Sequence, residues 1–152
     1  MARQDDLRDI DHALTRVGRI GRGRSATKLR AEVSGVDLTN TAAGILGTLH
    51  AHGPMRASAL AAAATTEAPL VSRELRTLTA QGYVTAKPDP NDGRGRIVAL
   101  TRKGRATYER FRDGADRITA HAFREWTDDD VSLLRELMLR VVRDFSTTGR
   151  PD

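Results

Sequence analysis

The chain has 152 residues, a length that fits one domain with its own core. It contains no cysteine, which excludes disulfides, thiolate zinc sites, cysteine nucleophiles and cysteine-based peroxide sensing. The formal net charge is +5, and most of it lies in residues 56–105, where nine Lys or Arg face four Asp or Glu. Residues 1–55 carry eight against six, and residues 106–152 carry eight against ten. A basic middle segment indicates binding of a polyanion, for which nucleic acid is the natural candidate.

The N-terminus has no apolar core of a signal peptide, and no apolar run is long enough to span a bilayer. We therefore expect a cytoplasmic protein without a membrane partner.

The first predicted helix carries one apolar stripe. Leu7, Ile10, Leu14 and Val17 recur at steps of three, four and three, so they share a helix face that needs a partner surface. Three glycines within residues 18–23 should weaken, kink or end this helix. We predict a first helix in two pieces.

Three helices follow in the middle of the chain. The first has an apolar face of Ala42, Ile45, Leu46 and Leu49, with Thr39 or Asn40 as N-cap and Gly53 as its end. Residues 56–64 are mostly strong helix formers, broken by Thr65-Thr66. The third helix covers residues 67–81, with Thr66 as N-cap and a stripe of Val71, Leu75 and Leu78.

A β-hairpin is predicted next, because residues 83–87 and 96–101 are rich in Val, Ile and Thr. The intervening residues 88–95 contain Pro, Asn, Asp and Gly and predict a long polar tip. Thr101 is the expected N-cap of a helix that runs to about residue 124, and Thr127 that of the last helix.

The last helix has an apolar face wider than a single core requires. The face comprises Val131, Leu133, Leu134, Leu137, Met138, Val141, Val142 and Phe145. We expect another subunit to bury part of it. The predicted fold class is mainly α with a small β-hairpin (α+β), in the order of a winged helix-turn-helix, where the third helix enters the major groove and the hairpin reaches the minor groove.

Four stretches of the sequence resemble the MarR family of bacterial regulators. They are His52-Gly-Pro-Met-Arg-Ala-Ser-Ala-Leu60, Val71-Ser-Arg-Glu-Leu-Arg-Thr-Leu-Thr-Ala-Gln-Gly-Tyr-Val84, Asp89-Pro-Asn-Asp-Gly-Arg94 and Ala99-Leu-Thr-Arg-Lys-Gly-Arg105. The resemblance is strongest over residues 38–105, and the terminal helices match in pattern and placement.

The resemblance implies a homodimeric transcriptional regulator that binds a double-stranded DNA operator. It implies dimerisation helices in residues 1–34 and 102–148, a winged helix-turn-helix lobe in residues 39–101, a recognition helix at about residues 67–81 and a wing that carries Arg94. It also implies a repressor released by a small aromatic or phenolic effector bound between the dimer helices and the DNA-binding lobe.

The chemistry of individual residues supports these roles. Arg94 suits a narrow A·T-rich minor groove, and Asp92 two residues away can orient it by a charge-assisted hydrogen bond. On the recognition helix, Arg73 and Arg76 lie off the apolar stripe, where they can reach guanine or phosphate oxygens. The candidate DNA-binding residues are Thr66, Ser72, Arg73, Arg76, Arg94 and Arg96. The candidate dimer interface is Leu7, Ile10, Leu14, Leu133, Leu137, Val141 and Val142.

The sequence departs from the family pattern at two places in the lobe. The first turn of the recognition helix, residues 67–70, lacks the usual hydroxyl and basic residues, so the operator sequence is not predictable. Arg56 stands where a Ser or Thr cap is usual.

Other functions have weaker support. Gly18–Ser25 approximates a phosphate-binding loop, but it follows a helical stripe where that loop needs a strand. His50 and His52 point to different sides of a helix, and no catalytic motif is present, so we predict no metal, no cofactor and no enzymatic activity. The alternative function is a winged-helix protein-interaction module without specific DNA binding. Arginines on the wing argue against it.

Overall fold

The computed structural model describes residues 2–64 and 66–147. Its helices are α1 (Ala2–Arg22), α2 (Arg24–Ser34), α3 (Asn40–His52), α4 (Ala57–Ala63), α5 (Ala68–Ala80), α6 (Arg102–Ala122) and α7 (Asp128–Thr147), and its strands are β1 (Met55–Arg56), β2 (Val84–Asp89) and β3 (Asp92–Leu100). Positions 1 and 148 of the predicted dimerisation ranges, and Thr65, lie outside the described residues. The chain divides into two compact units between residues 116 and 117, inside α6. The domain ranges expected from the sequence stay predictions.

The predicted fold class is confirmed: the described part of the chain is mainly helical with one small antiparallel sheet. The sheet has three strands in the order β1-β3-β2, one more than expected. The additional strand pairs Met55 with Val98 and Arg56 with Ile97. Two residues are too few to show an alternating pattern, which is why the sequence suggested only a hairpin.

The core lies between α3, α4, α5 and the sheet. Its least exposed large side chains are Ile45, Leu46, Leu49, Leu60, Val71, Leu78, Val84 and Val98. The apolar face predicted for α3 is therefore confirmed, and the stripe of α5 points inward as expected. This packing leaves the opposite face of α5 in solvent.

The predicted break in the first helix is confirmed at Gly23, whose extended backbone (φ −69°, ψ 158°) separates α1 from α2. Two side chains brace this break. Arg30 donates to the Gly21 carbonyl and, at 3.2 Å, to Oδ1 of Asn40. Asn40 in turn donates to the Arg22 carbonyl at 3.1 Å. The bend between α1 and α2 is thereby attached to the first turn of α3.

Three of the predicted N-caps are confirmed. The hydroxyl oxygens of Thr39, Thr101 and Thr127 accept the backbone N–H groups of Ala42 (3.0 Å), Gly104 (2.9 Å) and Asp130 (3.1 Å). These bonds satisfy amide groups that have no partner within the helix.

Thr66 was expected to cap α5, and this is wrong. The N-cap is Glu67, and the Thr66 hydroxyl donates to the Ala64 carbonyl at 3.0 Å. The cause is local: the Thr66 N–H bonds to the Ala61 carbonyl, so residue 66 still completes the end of α4.

Gly104 at the start of α6 permits a close approach to β2. A Cβ atom at this position would lie 1.9 Å from the Tyr83 carbonyl oxygen, a backbone atom that cannot move aside. We therefore expect Gly104→Ala to destabilise the fold by about 2–3 kcal/mol, as overpacking does in a well-packed site. Urea unfolding followed by circular dichroism measures this.

Gly44→Ala is the matched control, because Gly44 lies inside α3 and nothing stands within 4 Å of its added Cβ. This change should stabilise the helix by roughly 0.5–1 kcal/mol. Equal stability of the two variants would contradict the role given to Gly104.

The C-terminal unit contains α7 and the turn before it. In that turn Phe123 and Trp126 form an edge-to-face pair with ring centroids 4.9 Å apart. Trp126 is nevertheless 47% exposed. None of the helices in the described part of the chain is long and apolar enough to cross a membrane.

Candidate nucleic-acid interface

The outward face of α5 presents two arginines to solvent. Val71 and Leu78 are buried and Leu75 is half-buried, so the helix turns Arg73 and Arg76 outward. Neither guanidinium forms a hydrogen bond or ion pair with another described residue, although acidic groups are present elsewhere in the lobe. Two cations are thus available on a helix face that packing leaves open. Ser72 on the same helix is also exposed, and Thr66, just before it, is half-buried.

The wing is tighter than the sequence indicated. The expected tip over residues 88–95 is wrong, because β2 extends to Asp89 and β3 begins at Asp92, with Pro90-Asn91 as the turn. Side chains explain the tight turn: Oδ1 of Asp89 accepts the Asn91 N–H at 2.9 Å. Local hydrogen bonds of this kind favour turns over open loops.

Arg94 lies on a bulge in this wing. Pro88 pairs with Arg96, whereas the next residue of β2, Asp89, pairs with Asp92, so residues 93–95 have no partners on β2. Gly93 and Gly95 flank the arginine. Its side chain is exposed, and no polar partner for its guanidinium exists among the described residues.

Arg96 lies on the same hairpin but is held in place. Its Nη2 donates to the Ala86 carbonyl on β2 at 2.8 Å. Arg96 and Arg76 line one groove of about 600 Å³ between α5 and the sheet, which we call the helix–wing groove. Its other lining residues are Ala57, Ser72, Leu75, Thr79, Ala80, Ala86 and Val98. The cations of α5 and the wing therefore border a common surface.

Asp92 was expected to orient the Arg94 guanidinium. Instead, its Oδ1 accepts the backbone N–H of Arg94 at 3.1 Å, and its Oδ2 lies 3.7 Å from Nη1 of Arg56. Asp92 thus constrains the backbone of the bulge, and the Arg94 side chain extends without it.

Sequence reasoning missed the strongest ion pair near the wing. Nη2 of Arg56 lies 2.7 Å from Oδ2 of Asp89, a carboxylate whose side chain is only 3% exposed. The two residues are far apart in sequence, so no spacing rule links them. The only signal was the unusual arginine at a helix N-cap.

The residues expected to form a dimer interface are not buried within the chain. On α1, Leu7 is 54% and Ile10 49% exposed, and Leu14 is half-buried. On α7, Leu133, Leu137 and Val142 are between 49% and 59% exposed, and Val141 is half-buried. No described residue of α7 is buried. Both helices thus carry apolar surface that this chain alone leaves in water.

The histidines do not assemble into a metal site. Within residues 2–64 and 66–147, no group of three or more His, Asp or Glu side chains could hold a metal ion. His50 instead lies 3.4 Å from Glu109 and packs against the Tyr108 ring at 5.1 Å.

Comparisons with known proteins give one family match, over part of the chain. The sequence model of the MarR family matches residues 36–95, which run from the start of the lobe to the wing bulge. No curated protein matches the chain.

Several solved structures share the fold. A probable transcriptional regulator from Pseudomonas aeruginosa is 26% identical, with a TM-score of 0.71 over 87% of this chain and 96% of its own. Wild-type MarR from E. coli is 25% identical, with a TM-score of 0.70 over 84% of this chain and 96% of its own. A mutant of E. coli MarR in complex with operator DNA is 22% identical, with a TM-score of 0.71 over 90% of this chain and 96% of its own. Residues 36–95 thus match the sequence model of the MarR family, and the chain shares the fold of MarR structures over most of its length.

Proposed function

We propose that the protein is a homodimeric, sequence-specific double-stranded DNA-binding regulator of transcription, and that it acts as a repressor in the bacterial cytoplasm. The main support is the set of guanidinium groups on the outer face of α5 and on the wing bulge that have no partner within residues 2–64 and 66–147. These groups belong to the segment with the chain's surplus of positive charge. The similar fold of a MarR mutant crystallised with operator DNA is consistent with this function.

In the proposed complex, α5 enters the major groove and the wing follows the neighbouring minor groove. Arg73 and Arg76 then face base edges or phosphates, and Ser72 and Thr66 offer hydroxyls to the backbone. Arg94 inserts into the minor groove, where an A·T-rich sequence has the most negative potential. Arg96, already bonded to Ala86, is placed for a phosphate. We assign no enzymatic activity to this arrangement.

The dimer is proposed from the apolar surfaces of α1 and α7. A second copy is the occupant that can bury each of them, since identical subunits supply matching faces. Contiguous apolar patches of this kind are uncommon on monomers. A dimer also places two recognition helices on successive turns of DNA.

Selection of bound fragments from random DNA tests the proposed function. We expect enrichment of one inverted repeat whose half-sites are about 10 base pairs apart, the spacing of a helical turn. Folded protein that enriches no sequence would contradict specific DNA binding.

We further propose that a small aromatic or phenolic molecule releases the protein from DNA. The family resemblance suggests this. The resemblance implies a site between the dimer helices and the lobe, and the helix–wing groove is a different candidate. Its chemistry suits such a molecule, because apolar Leu75 and Val98 stand beside Arg76 and Arg96. An aromatic carboxylate there would occupy the same cations as DNA. Benzoate should therefore displace a labelled operator from the wild type and less effectively from Arg96→Ala. Equal displacement from both proteins would exclude this groove.

A further inference from the structure

Arg56 connects the helix-turn-helix to the wing. It stands at the junction of β1 and α4, and its guanidinium reaches two carboxylates of the wing turn. Nη2 lies 2.7 Å from Asp89 Oδ2, and Nη1 lies 3.7 Å from Asp92 Oδ2. We call this three-residue cluster the wing clasp. It has one positive and two negative charges, so it adds no cation to the DNA-binding face.

Burial makes Asp89 the critical member of the wing clasp. Its side chain is 3% exposed, and a buried carboxylate requires a partner for its charge and hydrogen bonds for its oxygens. Arg56 provides the charge, and the Asn91 N–H occupies the other oxygen. Gly95 provides space, since a Cβ there would lie 3.2 Å from the Cβ of Asp89.

The far end of the wing has few other attachments. Beyond the bulge, β2 and β3 share only the pair Asp89 with Asp92. The short strand β1 stops at Arg56, opposite Ile97, and does not reach the bulge. The wing clasp is therefore a direct link between the Arg94 bulge and the helix-turn-helix among the described residues.

The same arginine does not act as a helix cap. Arg56 is the N-cap residue of α4, yet its side chain makes no capping hydrogen bond. A Thr at this position would accept a backbone N–H of the helix. At this position the chain therefore has a side chain that forms an ion pair with the wing, in place of one that would cap and stabilise α4.

We propose that Arg56 is a positioning residue for DNA recognition: through Asp89 and Asp92 it holds the wing bulge in one orientation, so that Arg94 is presented to the minor groove. The proposal rests on the proposed DNA-binding function. Preorganisation of this kind raises affinity because the wing loses less conformational freedom when it binds.

Two substitutions test the wing clasp in the free protein. Arg56→Thr removes the ion pair but supplies a side chain that can cap α4, so the helix is preserved. Asp89→Asn keeps the shape and the acceptor for the Asn91 N–H but removes the charge.

We expect each substitution to raise the hydrogen-exchange rate of the Asn91 and Arg94 amides about tenfold, because local opening becomes easier. The double variant should be no worse than either single one, since the two changes break one interaction. Unchanged exchange in Arg56→Thr would overturn the proposal.

Binding to the selected operator separates positioning from direct contact. Asp89→Asn removes a negative charge that repels the DNA phosphates, so electrostatics alone should strengthen DNA binding. The wing clasp predicts the opposite, that Asp89→Asn binds the operator about tenfold more weakly than the wild type. Tighter binding by Asp89→Asn would refute the proposal. A second result would also refute it. In that result Arg56→Thr binds more weakly, its log affinity falls less steeply with log salt concentration by about one unit, and the hydrogen exchange of its wing amides is normal. That pattern marks a direct contact of Arg56 with a phosphate.

Arg112→Thr is the matched control. It breaks another partly exposed Arg–Asp pair, with Asp116 on α6, away from the wing. It should change neither wing exchange nor affinity. If the wild type binds no DNA at all, the exchange measurements still decide whether the wing clasp orders the wing, so failure of the proposed function is distinguishable from failure of this inference.

Discussion

Replacing Leu137 with aspartate is expected to convert the proposed dimer into monomers and to weaken operator binding by a factor of about 100 to 10,000. Leu137 lies in the middle of α7 and is 49% exposed in the single chain. A charge there would have to lose its water at the proposed interface, which is costly without a partner. A monomer binds only one half-site. It therefore loses the gain in affinity that a dimer has because its second subunit is already held close to the second half-site. Light scattering should report twice 16.6 kDa for the wild type and 16.6 kDa for the variant.

Ser132→Asp is the control for this experiment. It adds the same charge to the same helix, about 140° around the axis from Leu137 at 100° per residue. Ser132 is polar and lies outside the arc of the apolar face of α7, so the dimer should persist. A wild-type protein that is monodisperse and monomeric at micromolar concentration would rule out the dimer.

Arg94→Ala is expected to weaken binding to the selected operator strongly, and Arg73→Ala is expected to change base preference as well. Arg94 extends from a glycine-flanked bulge, and its guanidinium has no partner in the part of the chain that the structure describes. Its loss should fall hardest on operators with A·T-rich flanks, where the minor groove is narrow. A bidentate contact of Arg73 to guanine is worth about 1–3 kcal/mol at that base pair. Loss of a phosphate contact instead flattens the salt slope by about one unit.

Fluorescence anisotropy on operator and scrambled duplexes at several salt concentrations separates these outcomes. Arg143→Ala is the control, because Arg143 is an exposed arginine on α7, far along the chain from the lobe. It should bind like the wild type. If Arg73→Ala and Arg94→Ala both bind normally as folded dimers, the chain is better described as a protein-interaction module that uses the winged fold.

The parts of the fold that depend on neighbouring residues were predictable from the sequence. The caps at Thr39, Thr101 and Thr127 follow from a hydroxyl that accepts an amide three residues later, and the helix break at Gly23 follows from clustered glycines. The core face of α3 follows from helical periodicity. Each of these patterns is complete within a few residues, so local chemistry determines it.

The parts that depend on distant residues were not predictable. Strand β1 exists because β3 offers it an edge, and its two residues show no period of their own. The tight wing turn depends on Asp89, whose buried carboxylate is paired with Arg56. Arg56 lies 33 residues earlier in the chain, with the helices α4 and α5 in between. The outward arginines of α5 were predicted as a group. That they contact DNA stays a prediction.

Trp126 is the only tryptophan of the chain, and its position makes it a natural optical reporter. It stands just before α7, half in solvent, with its ring edge-on to Phe123. Indole emission depends on how much water surrounds the ring, so its spectrum reports the state of the C-terminal unit without an attached dye. DNA binding and the state of the C-terminal unit can thus be followed in one sample at separate wavelengths. The emission of a labelled duplex reports DNA binding by the lobe, and the ultraviolet emission of Trp126 reports the surroundings of α7.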